Sequence, residues 1–118
     1  MKYMNYRIAI ASKDGKVVTD HFGHCSKFII VEVDKSLYRY IEQRDVEPPC
    51  KGGVHTINGI EQVLAIIKDC SYILVNQIGG GAEQIIKAYQ FEVVSYKGYV
   101  KDGIEQIILN HIFPNETN

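Results

Sequence analysis

The sequence predicts an α/β domain: a small mixed five-stranded sheet flanked by helices, with elements in the order βββαβαβα. Three observations lead there. Apolar, β-branched runs separated by tight turns fill the first half, which implies an antiparallel meander. The second half alternates strand-like and helix-like segments, which implies parallel pairing through right-handed crossovers. The chain has 118 residues, 46% hydrophobic and 23% charged, the size and mixture of one globular domain. Residues 1–118 are therefore read as a single domain, with a core over 6–112 and a frayed tail over 113–118.

Residues 7–11 (RIAIA) form a short run with no polar alternation, as in a strand buried on both faces. Lys13-Asp14-Gly15-Lys16 is a turn, since Asp-Gly supplies positive φ. Residues 27–33 (KFIIVEV) are a second buried strand, and Asp34-Lys35-Ser36 a second turn. Residues 37–46 alternate only partly, which suits a more exposed edge strand. Pro48-Pro49 stops it, and residues 50–55 form a Gly-containing loop.

Asn58 with Glu61 resembles a capping box, placing a helix start there. Ile57, Ile60, Leu64 and Ile67 follow at helical spacing. Residues 72–76 (YILVN) are a buried strand. Gly79-Gly80-Gly81 breaks the chain before a helix with Ala82, Ile85, Ile86 and Tyr89 on one face. Residues 91–95 (FEVVS) are the last strand. Asp102 and Glu105 repeat the capping pattern before a helix that ends near His111. Cys70 is expected to be a small core residue, and His111 to favour the helix dipole.

If the first strand runs up, the third, fourth and fifth do too. The loops at 12–26, 47–56 and 77–81 then emerge at one end of the sheet, where α/β folds bind ligands. These loops hold the chemically unusual residues. His21-Phe22-Gly23-His24-Cys25 packs two imidazoles and a thiol into five positions, ligands suited to zinc, copper or iron–sulfur species. Cys50 and His55 add a Cys-x4-His pair. In both segments the plain alternative is an ordinary loop. Gly79, Gly80 and Gly81 open a helix whose backbone N–H groups attract anions, or they are a simple strand-to-helix turn.

Composition excludes several classes. Lys and Arg number 13 against 14 Asp and Glu, for a net charge of −1, with no basic cluster to grip nucleic acid. The apolar content is too high for disorder. The longest central aliphatic run, residues 63–67, is far short of the roughly 20 residues of a membrane span. The N-terminus has no apolar core of a signal peptide, which points to the cytoplasm. Three cysteines without a CxxC pair read as free thiols or ligands. No nucleophile elbow or HExxH is present, and the first strand has no carboxylate to hold catalytic metal ions, so no nuclease activity with magnesium or manganese is expected.

Arg7-Ile-Ala-Ile-Ala-Ser12, Asp14-Gly15, Asp20-His21-Phe22-Gly23, residues 28–33 (FIIVEV) and Gly79-Gly80-Gly81-Ala82 together resemble the dinitrogenase iron–molybdenum cofactor biosynthesis family. This is the type of NifX, NafY and the NifB carboxy-terminal domain, and the resemblance covers roughly residues 6–110. It implies an RNase H-like fold and a non-catalytic carrier or accessory protein for an iron–sulfur or iron–molybdenum cluster or its precursor. It also implies cluster donor or acceptor proteins as partners, and a monomer or weak homodimer. The family's cluster-ligand position maps onto His21. Cys25, Cys50 and His55 resemble positions rich in Cys and His in stand-alone members, with His24 beside them. A zinc-binding regulatory domain and a small thiol-based redox protein remain the alternatives.

Overall fold

The structure, a computed structural model, describes residues 5–48 and 57–112. Five strands form one sheet in the order β3-β2-β1-β4-β5. They are β1 (Tyr6–Ala11), β2 (Lys27–Asp34), β3 (Leu37–Asp45), β4 (Tyr72–Val75) and β5 (Glu92–Ser95). β1 pairs antiparallel with β2 and parallel with β4; β2–β3 is antiparallel and β4–β5 parallel. The helices are α1 (Ile57–Ile66), α2 (Gly80–Ala88) and α3 (Val100–Ile112). None is long and apolar enough to cross a membrane.

β1 explains its own composition. Ala9 and Ala11 face a cluster with Ile60, Val63 and Leu64 of α1 and Ile86 of α2. Ile8 and Ile10 face a second cluster with Ile104, Ile107 and Ile108 of α3. A central strand covered on both sides has no reason to alternate. α3 lies close on its face. A Cβ added at Gly103 would stand 2.8 Å from Leu74 Cδ2, so glycine here permits the approach of helix to strand.

β3 is the exposed edge, with Leu37 and Tyr40 largely in solvent. Ile30 pairs with Glu42 and Val31 with Tyr40, leaving Ile41 as an extra residue. Such a bulge twists the edge and hinders pairing with another strand.

Two helix starts differ from expectation. α1 is described from Ile57, so Asn58 lies within its first turn. α3 begins at Val100, so Asp102 is likewise inside the helix. For α3 the cause is tertiary: Val100 N–H donates to Lys16 O at 2.8 Å, and Gly103 N–H to Tyr99 O. A partner supplied by a distant loop satisfies the first donor and lets the helix start three residues earlier. The tail at 113–118 and the loop at 49–56 lie outside the described residues.

Candidate functional site: a rim at the carboxyl ends of β1 and β4

The 12–26 loop is held by its own polar groups. Ser12 is buried, donates to Val17 O at 2.6 Å and accepts from Gly15 N–H at 2.9 Å. Asp14 accepts from Lys16 and Val17 N–H, and those bonds hold its carboxyl below the usual range. Gly15 takes the positive φ, 76°, that the turn requires.

The loop then clasps the end of β4. Asn76 N–H donates to Asp20 O at 3.0 Å, and Asn76 Nδ2 donates to Val18 O at 3.1 Å. Phe22 N–H donates to Gln77 O at 2.9 Å, and His21 pairs with Gln77 in a parallel bridge. The His-Phe-Gly segment and the strand leading to Gly79–Gly81 are thus brought together at one end of the sheet.

Phe22–His24 form a single 3-10 turn. Side chains three apart eclipse one another in such a turn. Phe22 and Cys25 therefore both enter the core, each 1% exposed or less. His21 and His24 fall on the outward side, half-buried and exposed, with ring centroids 5.6 Å apart. His21 caps the turn by accepting Gly23 N–H on Nδ1 at 3.0 Å.

That sorting separates Cys25 from the histidines. Its Sγ donates to Lys27 O, and burial pushes its pKa up to about 12, opposed only in part by the Lys27 backbone. As folded it is a core thiol and presents no thiolate to the rim. Cys70 is also in the core, with burial raising its thiol to about 12.

Asp20 is 7% exposed, and its Oδ2 has no hydrogen-bond partner among the described residues. Lys13 Nζ stands 3.9 Å from the other oxygen. In the sequence Asp20 stands out only as part of the Asp20-His21-Phe22-Gly23 stretch, and the signal for Asn76 is its place as the polar residue that ends the YILV run.

Gly79 is the N-cap of α2 and supplies no side-chain cap. The first bond into the cap is Glu83 N–H to Gly79 O. Among the described residues, the N–H groups of Gly80, Gly81 and Ala82 have no partner, as expected for the first turn of a helix. A Cβ at Gly79, Gly80 or Gly81 would meet nothing within 4 Å, and none of the three has positive φ. Neither packing nor backbone strain accounts for three glycines in a row.

Cys50 and His55 lie outside the described residues. The chain enters their loop beside the rim, since Val46 N–H donates to Ser26 O at 3.0 Å. Among the described residues, no three His, Cys, Asp or Glu side chains gather as a metal site, and the zinc alternative gains no support.

A family model described as dinitrogenase iron-molybdenum cofactor matches residues 4–110. The chain is 33% identical over 102 residues to the FeMo cofactor biosynthesis protein NifB of Herbaspirillum seropedicae, covering 86% of this chain and 19% of that protein. It spans about one fifth of the length of the curated relatives it matches. Among solved structures, the protein PH0822 aligns with a TM-score of 0.68 at 20% identity, covering 88% of this chain and 89% of that one. The apo orange protein of Desulfovibrio gigas aligns at 0.53 and 18% identity, covering 91% and 87%. At such identities these two structures establish likeness of fold.

Proposed function

The chain belongs to the dinitrogenase iron–molybdenum cofactor family, and on that premise we propose that it is a non-catalytic carrier for an iron–sulfur or iron–molybdenum cluster or its precursor. The cluster is cargo, received from a donor protein and passed to an acceptor in the cytoplasm. The mixed five-stranded sheet is compatible with the RNase H-like label that the resemblance carries.

The observation that carries this reading is the clasp of His21 against Gln77, beside the uncapped start of α2. Imidazole and unpartnered backbone N–H groups then share one end of the sheet. Metal–sulfur clusters with thiolate ligands are anionic, and the helix N-terminus offsets negative charge. His21 and His24 contact the cluster, and Cys50 and His55 are the further ligands that the sequence offers. Cys25 holds the turn in the core. Burial of Cys25 and Cys70 also weighs against thiol redox chemistry at either.

The test is anaerobic reconstitution of the full chain with iron and sulfide, with and without molybdate. Expected results are a visible charge-transfer spectrum and stoichiometric iron and sulfide in the wild type. Retention falls in Cys50→Ser and His55→Ala. A colourless, iron-free wild type after reconstitution overturns the proposal.

A further inference from the structure

Gly23 N–H points at Nδ1 of His21 from 3.0 Å. A backbone N–H carries a proton and no lone pair, so it can only donate. Nδ1 must therefore be the acceptor, and the ring proton of the neutral imidazole sits on Nε2.

Metal-ligating histidines have the reverse arrangement. One ring nitrogen gives its lone pair to the metal, and the other, as N–H, donates to a carboxylate, carbonyl or water. If Nε2 of His21 bound a metal, a neutral ring would carry its proton on Nδ1, where it would meet the Gly23 N–H head-on. If Nδ1 bound the metal, the ion would displace the same hydrogen bond. Either way the cap of the 3-10 turn is lost. That turn directs Phe22 and Cys25 into the core, so its cap is part of the fold.

The neighbouring helix start has the same polarity. Gly80, Gly81 and Ala82 present N–H groups, while Cys25 stays in the core with its S–H donating to Lys27 O. Asp20 is the one carboxylate buried there, with Lys13 at 3.9 Å, and a single acid makes no metal site.

We propose that His21 holds its cargo as a hydrogen-bond donor, giving Nε2–H to a sulfide or oxo group of an anionic metal–sulfur species, with no bond from its ring to a metal ion. This rests on the cluster-carrier reading and specifies how the cluster is recognised: by the acceptor atoms on its surface. Contacts of that kind exchange without breaking a bond between the ring and a metal ion.

The experiment uses the full chain with tetrathiomolybdate, a simple molybdenum–sulfur anion, and separately with zinc(II). Ring ¹⁵N NMR follows His21. The expected result is saturable binding of the anion with Nε2 still protonated and Nδ1 still unprotonated. His21→Gln places an amide N–H near the Nε2 position and keeps affinity for the anion within about threefold. His21→Asn keeps an oxygen to cap Gly23 but ends short of the rim, and binds about tenfold or more weakly, as for loss of a hydrogen bond to a charged group. Loss of the Nε2 proton on binding the anion overturns the inference and leaves the carrier reading intact. So does equal loss of affinity in the Gln and Asn variants, or tighter binding of zinc(II) with loss of the Gly23 bond. Failure of the wild type to bind the anion overturns the inference, and reconstitution with iron and sulfide then shows independently whether the carrier reading falls too.

Discussion

The rim and the corner where α1 ends treat polar groups in opposite ways. At the corner, Asp69 receives Arg7 Nη1 at 2.8 Å and both terminal nitrogens of Arg44 at 2.6 and 3.0 Å. Arg44 also donates to Glu42 and to Ile66 O, and Glu32 links Arg7 to Arg39. Each charge there has a partner. At the rim, Asp20 Oδ2 and the first N–H groups of α2 have none among the described residues, and three glycines keep the helix start bare. A buried polar atom left unpaired costs stability, and natural proteins keep few of them, so Asp20 Oδ2 stands out beside the solvent-exposed helix start. The corner's paired charges stabilise the fold, and on the proposed reading the rim is where a ligand is received.

The strongest way to break this contrast is to remove the anchor under the rim. Phe22→Ala deletes a fully buried ring and is expected to lower unfolding free energy by about 3–5 kcal/mol, read by urea denaturation. The result would show that the loop is firm because its apolar side belongs to the core. Cys25→Ser places a hydroxyl in the same cluster and should cost about 1–3 kcal/mol. Its cluster retention should match the wild type wherever both are folded. Loss of retention at full stability would make Cys25 a ligand after all.

Asp69→Ala strips the corner of its shared acceptor. The pair is partly exposed, so solvent screening limits the expected loss to about 1–2 kcal/mol. The hydrogen bond from Arg44 chiefly, and that from Arg7 with it, hold the Asp69 carboxyl well below the usual range. A depressed folded-state pKa gives stability that is present above the unfolded value of about 4 and lost as pH falls below it. The wild type should therefore lose stability more steeply below about pH 4 than Asp69→Asn does, measured as urea midpoints across pH. The smallest expected change is Gly80→Ala. Its Cβ meets nothing, so stability should hold or rise by up to about 0.5 kcal/mol, while a cluster approaching the backbone would bind roughly two- to fivefold more weakly.

Much of the frame is legible in the sequence because burial writes itself into composition. β1 is apolar from Ile8 to Ala11 since helices cover both its faces there, and β3 mixes polar and aromatic residues since it is an edge. The start of α3 was hidden because it depends on Lys16, more than eighty residues upstream, accepting from Val100. At the site, the density of His and Cys at residues 21–25 was visible, but its division was not. A three-residue turn sends Phe22 and Cys25 one way and the two histidines the other, and that geometry is not written in ligand spacing. Gly103, inside a helical pattern, similarly marks a close contact with Leu74 that only packing reveals.

The central claim, that the rim is built for a ligand and the corner for stability, is tested most directly by one paired measurement. His21→Ala and Asp69→Ala are reconstituted anaerobically with iron and sulfide beside the wild type. Iron retained per chain and the urea midpoint are determined on the same samples. The account predicts that His21→Ala loses most of its iron with a midpoint lowered only by the loss of one turn cap, about 1 kcal/mol, and that Asp69→Ala keeps its iron with a midpoint lowered at least as much. Equal iron retention in His21→Ala and wild type, or iron loss in both variants in proportion to lost stability, would contradict it.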